Sequence, residues 1–181
     1  MQAFDPDLIF ASDTSGDAIV FVGNNHFAEL ATRPIVEFAA QAGLPIRLWG
    51  TGWKRHQIAP SLQGLYLPND QLGDVDRAAE IVLCDHMPSM RQAGYFSNRI
   101  YDALACGAAV ISDPIDGLVP EFEPFVTQCE TAEAFVNAVH TIRTAAPDQR
   151  ETRRQFAASM PQRHSFDSRA VELGKAFSAV L

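Results

Sequence analysis

The sequence lacks most of the features that mark membrane, secreted and nucleic-acid-binding proteins. It has neither a signal-peptide pattern near its start nor an apolar run long enough to span a bilayer. The three cysteines, Cys84, Cys106 and Cys129, form no CxxC pair, which argues against a disulfide framework and a zinc site. Bases are scarce as well, because 14 of them stand against 22 acids and give a net charge of −8. That balance disfavours a broad nucleic-acid or anionic-membrane surface. Because the sequence shows no signal peptide, no membrane-spanning run and no disulfide framework, we expect a cytoplasmic protein.

Two common nucleotide-binding motifs are also missing. No GxxxxGK[ST] run occurs, which excludes a P-loop. Gly50 and Gly52 resemble the start of a dinucleotide fingerprint, but Arg55 stands where the third glycine is needed and no clear helix follows. A nicotinamide or flavin dinucleotide is therefore not expected as a cofactor.

What the sequence does contain is a regular alternation of short apolar runs and helical patterns. Its 181 residues fit one domain, and a hydrophobic content of 47% is typical of a globular protein. The pattern predicts an α/β fold with a Rossmann-like, doubly wound parallel sheet over residues 17–181, after a polar lead-in or linker over residues 1–16. Strands are predicted at 18–22, 44–49, 65–67, 81–84, 108–111 and 124–127. Helices are predicted at 33–42, 70–79, 98–106, 132–143, 149–160 and 168–181, with residues 85–97 irregular.

Open parallel sheets bind ligands at the carboxyl ends of their strands, where the strand order reverses. The segments that follow the predicted strands here are rich in glycine, amides and bases, and glycine permits close backbone approach. Glycine is also common at such positions for the turn alone, so both interpretations of the two glycine loops stay open. The segments are Gly23-Asn24-Asn25, Gly50-Thr51-Gly52 with Lys54 and Arg55, Asp85-His86 and Ser112-Asp113.

The predicted helix over 98–106 has a start suited to an anion. Ser97 can cap it, which would leave the backbone N–H groups of Asn98, Arg99 and Ile100 to hold a phosphate. Asn98 and Asp102 are four residues apart and share one face, which we expect to lie toward the crevice. The alternative is an ordinary solvated helix face.

Residues 81–113, IVLCDHMPSMRQAGYFSNRIYDALACGAAVISD, resemble the C-terminal domain of group 1 glycosyltransferases. The closest likeness is to the branch that includes the spore-maturation-type proteins, and residues 21–24 and 164–169 also resemble that branch. The resemblance implies the C-terminal half of a GT-B fold, which binds a nucleotide-diphosphate sugar, while a separate N-terminal domain binds the acceptor. It also implies a retaining enzyme without a metal ion or other cofactor. By itself such a half is expected to bind the nucleotide weakly and to transfer no sugar.

The resemblance also assigns residues. In the wider superfamily two glutamates eight positions apart frame this helix; the second, which binds the ribose hydroxyls, falls on Asp102. The first, which touches the sugar, falls on Gly94, so the chain departs from the family there. Lys54 and Arg55 match a basic pair that neutralises the diphosphate, a task that Arg99 could share. The predicted donor-binding residues are thus Gly23, Asn24, Gly50, Lys54, Arg55, Ser97, Asn98, Arg99 and Asp102, with His86 and Arg91 as weak catalytic candidates.

Three alternatives remain at this point. The chain could be half of a nucleotide-sugar epimerase built on the same two-domain plan, which a catalytic carboxylate set in the missing half would identify. It could be a solitary nucleotide-binding module without chemistry. A phosphoacceptor signalling domain would need an acidic cluster after the first strand, and Gly23-Asn24-Asn25 lacks it.

Overall fold

A parallel sheet of six strands forms the centre of the computed structural model, which describes residues 2–12, 16–25, 33–54 and 58–178. The strand order is β3-β2-β1-β4-β5-β6. The second and third strands lie on one side of β1 and the last three on the other, so the strand order reverses at the boundary between the neighbours β1 and β4. This is the order of the Rossmann fold and confirms the predicted α/β class. The strands are β1 (Ala18–Val22), β2 (Ile46–Trp49), β3 (Leu62–Gly64), β4 (Ala79–Cys84), β5 (Ala109–Ser112) and β6 (Val126–Gln128).

The central strands β1, β4 and β5 are apolar at successive positions because both faces of the sheet are buried there. In β1, Val20 lies in one hydrophobic cluster, whereas Ile19 and Phe21 lie in the other on the opposite face. The first cluster includes Ile100 and the second includes Ile35, so helices cover both faces. A strand with two buried faces needs apolar residues at every position, which is what made these strands visible in the sequence.

Eight α-helices surround the sheet in the part of the chain that the structure describes. None of them is long and apolar enough to cross a membrane. Two short 3₁₀ helices occupy Ala59–Ser61 and Pro120–Phe125. The α-helices are α1 (Pro34–Gln41), α2 (Asn69–Arg77), α3 (Pro88–Gln92), α4 (Arg99–Ala105), α5 (Ala132–Arg143), α6 (Pro147–Ser159), α7 (Pro161–His164) and α8 (Phe166–Ser178).

Two element predictions were wrong, and the sixth strand, predicted at 124–127, begins only at Val126, after a 3₁₀ helix. The third strand is Leu62–Gly64, and the apolar run at 65–67 that predicted it follows the strand, with Leu65 and Tyr66 exposed. The segment 85–97 is not wholly irregular, because Pro88 begins the five-residue helix α3 within it. Both errors arise from runs too short for periodicity to separate strand, helix and loop.

The described part of the lead-in corrects the expectation of a linker over residues 1–16. Ala3, Phe4 and Ile9 are buried in the domain, and Phe4 forms a parallel bridge with Ser165 at the start of α8. The backbone N–H of Ala3 also donates to Oδ1 of Asn98 at 3.2 Å. The three apolar residues follow neither a period of 2 nor one of 3.6, so the sequence showed no element there. Residues 2–12 therefore form part of the fold and cover the start of α4.

Candidate functional site

The loops after β1 and β2 are joined by hydrogen bonds into one continuous surface at the carboxyl edge of the sheet. The N–H of Gly23 donates to Trp49 O at 2.9 Å, and the N–H of Asn25 donates to Thr51 O at 2.8 Å. Asn24 Oδ1 accepts from both the N–H and the hydroxyl of Thr51, at 2.8 and 3.1 Å. The predicted site residue Asn24 thus fixes one loop against the other while the residue itself stays exposed.

The two glycines of the second loop allow this close contact. A Cβ atom on Gly50 would lie 2.1 Å from Gly23 O, and one on Gly52 would lie 2.0 Å from Asn25 O. Their φ angles, 141° and 84°, are also ones that other residues rarely adopt. The close packing of the two loops is therefore enough to explain glycine at position 50, which lies against the backbone of Gly23.

Lys54 lies at the same edge, directly after a buried anchor. The neighbouring Trp53 is fully buried, donates from Nε1 to Gly23 O at 2.9 Å and packs edge-on against Phe21. Lys54 itself is exposed, so its ammonium group is presented near the loop surface by a rigid neighbour. The other member of the predicted basic pair, Arg55, lies outside the described residues.

The segment after β4 is held by a buried histidine that bridges two elements. His86 Nδ1 lies 2.6 Å from Asp113 Oδ1, and the backbone N–H of Ser97 donates to His86 Nε2 at 2.8 Å. Because Nε2 accepts, Nδ1 must carry the proton and donate to the carboxylate. Both ring nitrogens are then engaged and none remains for a substrate. This corrects the weak catalytic assignment of His86, which instead positions Ser97 relative to β5.

Arg91, on α3, keeps its charge accessible at this edge. Its Nη1 lies 3.6 Å from Asp113 Oδ2, which is longer than a hydrogen bond, and 44% of the side chain is exposed. The structure thus brings Arg91 beside Asp113 at the carboxyl end of β5, in a place where it can contact an anion.

A buried ion pair that the sequence analysis missed lies where the strand order reverses. Arg33 Nη1 is 3.1 Å from Asp85 Oδ1, and the guanidinium carbon lies 5.5 Å from the ring centroid of Phe21. Burial raises the pKa of Asp85 to about 6 despite the opposing charge of Arg33, and its buried Oδ2 has no hydrogen-bond partner. The adjacency of β1 and β4 could have indicated this pair, since Arg33 directly precedes the helix after β1 and Asp85 follows β4.

Arg99 was predicted to face the crevice, but in the structure it faces α2. Its Nη1 donates to Oδ2 of Asp76 and its Nη2 donates to Oδ1 of the same residue, both at 2.7 Å. Asp76 lies on α2 and is fully buried. A bidentate pair of this kind uses the guanidinium in its strongest geometry. Arg99 therefore holds α4 against α2, and this pairing argues against its predicted role at the diphosphate.

Asp102 is buried rather than exposed. Its Oδ2 lies 3.6 Å from Arg99 Nη1, and its side chain retains 10% exposure. Burial raises the pKa of Asp102 to about 6, although Arg99 lowers it in part. The thiol of Cys84, at the carboxyl end of β4, is close enough to Asp102 and Arg99 for both charges to affect its pKa. The ionic cluster of Asp76, Arg99 and Asp102 thus lies beside the end of β4, under the surface.

The start of α4 has fewer free N–H groups than the sequence predicts. The helix begins at Arg99, whose N–H donates to Ser97 Oγ at 3.3 Å, and the N–H of Ile100 donates to Ser97 O at 3.1 Å. Asn98, which was expected to face the crevice, accepts from the lead-in through its side chain. Ser97 Oγ bonds to the first turn, but the N-cap is Asn98 and not Ser97 as predicted. A helix of seven residues with these groups engaged is a weak anion site.

Gly94, where the resemblance places a sugar-binding glutamate, follows α3 with a φ of 68°. A Cβ atom there would meet nothing within 4 Å. Backbone conformation, not space, therefore favours glycine at this position. The departure from the family is thus linked to the short helix that precedes it.

The chain belongs to the glycosyl transferase-like family, whose model matches residues 29–174. Among curated proteins, none matches the sequence significantly. The match covers every element from α1 to α7 and most of α8. It confirms the resemblance to glycosyltransferases.

Solved structures with the same fold are GT-B glycosyltransferases. Anabaena HepE in complex with UDP-glucose aligns over 98% of this chain and 56% of its own, with a TM-score of 0.69 and 14% identity. Sucrose-phosphate synthase from Thermosynechococcus elongatus aligns over 99% and 51%, with a TM-score of 0.64 and 15% identity. T4 phage β-glucosyltransferase aligns over 96% and 54%, with a TM-score of 0.63 and 14% identity. At such identities the similarity shows the fold, and the chain spans about half the length of these proteins.

Proposed function

We propose that the chain is the donor-binding half of a GT-B glycosyltransferase that moves a sugar from a nucleotide-diphosphate sugar to an acceptor hydroxyl. The observation that carries this proposal is the surface formed by the loops after β1 and β2, with Lys54 on one side of the strand-order reversal and Arg91 on the other. Open α/β sheets bind ligands at such a reversal. The retaining mechanism and the kinship with the spore-maturation branch belong to the same proposal and rest on the sequence resemblance.

In this proposal Lys54 and Arg91 bind the diphosphate and stabilise the charge that develops on it as the sugar leaves. Asp102 accepts hydrogen bonds from the ribose hydroxyls. Its contact with Arg99 is longer than a hydrogen bond, and its partial exposure leaves lone pairs for a ligand. Tyr66, which follows β3 at the same edge and is 73% exposed, offers a ring on which a nucleobase can stack.

A second domain completes the cleft in this proposal and binds the acceptor. The chain spans about half the length of the structures it matches, and α8 exposes a set of large apolar side chains that a partner domain would bury. These are Phe166, Val171, Leu173 and Phe177. Without that domain we expect the chain to bind nucleotide and to transfer no sugar. A cytoplasmic location is also part of the proposal, since all three cysteines are free and buried.

Calorimetry with uridine, guanosine, adenosine and thymidine diphosphates tests donor binding. We expect at least one of them to bind with a dissociation constant in the millimolar range or below. Lys54→Gln should weaken that binding by about two- to fivefold, the usual size of an exposed charge contact. Lys175→Gln is the matched control, because it removes the other lysine of the chain, which lies on α8. The proposal fails if none of the four nucleotides binds at millimolar concentration.

The same titration in EDTA tests whether a metal ion takes part. We expect unchanged affinity, because cationic side chains can neutralise the diphosphate directly. The two Asp-x-Asp pairs of the chain are engaged otherwise: Asp76 with Arg99, Asp74 with Arg77, and Asp5 Oδ1 with the N–H of Asp7. Nucleotide binding that disappears in EDTA and returns with Mg²⁺ or Mn²⁺ would contradict the metal-free part of the proposal.

A further inference from the structure

A cavity of about 230 Å³ lies at the amino edge of the sheet, where β4 and β5 begin, and therefore at the end opposite the crevice. We call it the amino-edge cavity. Its wall carries four arginines, one from the end of α2 and three from α6, and a single carboxylate, Glu80. The arginines are Arg77, Arg150, Arg153 and Arg154. A protein with a net charge of −8 thus concentrates cations at one small site.

Three of these arginines contact carboxylates. Arg77 pairs with Asp74, and Arg154 pairs with Glu151. The third, Arg150, has its Nη2 3.8 Å from Glu80 Oε1, which is too long for a hydrogen bond.

Glu80 does not neutralise the cavity, because it is already bound elsewhere. Its Oε2 accepts from Arg143 Nε at 3.1 Å, outside the cavity wall. The carboxylate is thus shared between Arg143 and Arg150, and two positive charges face one negative charge.

Arg153 is the uncompensated cation of the site. Within the described residues it has no ion pair, and its Nε is buried without a hydrogen-bond partner. Burial lowers the pKa of Arg153, and the neighbouring charge of Arg150 lowers it further, against a smaller opposing effect of Glu80. A buried polar group without a partner is destabilising, so an anion in the cavity would supply what Arg153 lacks.

We propose that the amino-edge cavity binds a phosphate group, held chiefly by Arg153. The planar guanidinium matches two phosphate oxygens at once, and its charge strengthens both hydrogen bonds. The volume holds about eight waters at roughly 30 Å³ each. It is below the range of about 300 Å³ upward that is typical of larger ligands, which favours a single small oxyanion group. The site is separate from the donor crevice, because it lies at the other end of the strands.

Calorimetry with inorganic phosphate at low ionic strength tests the site, with Arg153→Gln as the variant and Arg47→Gln as its control. Arg47 is an exposed residue of β2 that does not line the cavity, and both variants change the net charge equally. We expect the wild type and Arg47→Gln to bind phosphate alike and Arg153→Gln to bind it at least about tenfold more weakly. Arg153→Lys should recover part of the affinity, since it restores the charge without the planar geometry.

Thermal unfolding and vesicle binding complete the test. Phosphate should raise the melting temperature of the wild type and of Arg47→Gln above that in chloride of equal ionic strength, and should do so less for Arg153→Gln. If the phosphate belongs to a lipid, vesicles with phosphatidic acid should bind in an Arg153-dependent manner and phosphatidylcholine vesicles should not. Binding of free phosphate alone would identify a soluble source. The proposal is overturned if neither ligand shows binding that depends on Arg153.

Discussion

Asp102→Asn is expected to make the protein more stable at pH 7. The native pKa of Asp102 is about 6, whereas the ordinary value is 3.8, because burial disfavours the charged carboxylate. The native state therefore binds the proton more tightly, and the contribution of Asp102 to stability falls as the pH rises from about 4 to 6. Asparagine carries no charge, so the variant avoids this loss. The gain should reach up to about 3 kcal/mol above pH 6 and vanish below about pH 4.

The same substitution should weaken nucleotide binding. A carboxylate that accepts two hydroxyl hydrogen bonds contributes about 1.5–3 kcal/mol, so affinity for the ribonucleotide should fall roughly tenfold to a hundredfold. A 2′-deoxynucleotide should bind the wild type more weakly than the ribonucleotide does. Asp102→Asn should reduce the affinity for the deoxynucleotide only a little further. Urea denaturation at pH 4 and pH 7, together with calorimetry, measures both effects.

A variant that gains stability and loses affinity would identify Asp102 as a ligand-binding residue whose burial is costly to the fold, a known exchange of stability for function. If Asp102→Asn instead lowers stability at pH 7, its carboxylate is needed by Arg99 and is structural. Equal binding of the deoxy and ribo forms would likewise remove Asp102 from the ribose site.

Asp76→Asn is expected to destabilise the protein by about 3–5 kcal/mol. The substitution leaves the guanidinium of Arg99 with only the distant carboxylate of Asp102, and breaking one partner of a buried pair costs that much. For a domain of this length, each kcal/mol corresponds to about 2–4 °C in melting temperature. Thermal unfolding therefore gives a clear readout.

Asp74→Asn is the matched control, since it lies on the same helix, also pairs with an arginine and is 74% exposed. It should change stability by no more than about 1 kcal/mol. The double variant Asp76→Asn/Arg99→Met should regain much of the loss, because removing both charges avoids an unpaired buried cation. If the two aspartate variants are equally stable, the bidentate pair does not contribute to holding α4 against α2.

The main elements of the fold could be predicted because their signals are local. β1 was predicted at its observed bounds from a continuous apolar run, and α5 was predicted at its observed bounds, 132–143. The third strand could not be placed, because a three-residue strand at the sheet edge has too little apolar pattern. Local sequence identifies buried strands and full-length helices, and short edge elements depend on their neighbours.

The candidate site was predicted less well, because side-chain directions depend on what covers each element. With residues 2–12 interpreted as a linker, the polar face of α4 had no visible partner and was assigned to the crevice. In the structure the lead-in takes Asn98 and α2 takes Arg99. Only Asp102, beside the end of β4, remains a candidate from that face, while Lys54 and Arg91 lie at the carboxyl edge of the sheet and their binding roles stay predictions.

The account is tested most directly by following the backbone amides of the ¹⁵N-labelled protein during titration with the nucleoside diphosphate that binds most tightly. We predict saturable shifts at the carboxyl edge of the sheet, at Gly23, Asn24, Thr51 and Arg91, and little change at Gly107 and Arg153 at the amino edge. Such a pattern would place the nucleotide in the crevice where the strand order reverses. Shifts confined to the amino edge, or none at millimolar nucleotide, would contradict the assignment of this chain as the donor-binding half of a glycosyltransferase.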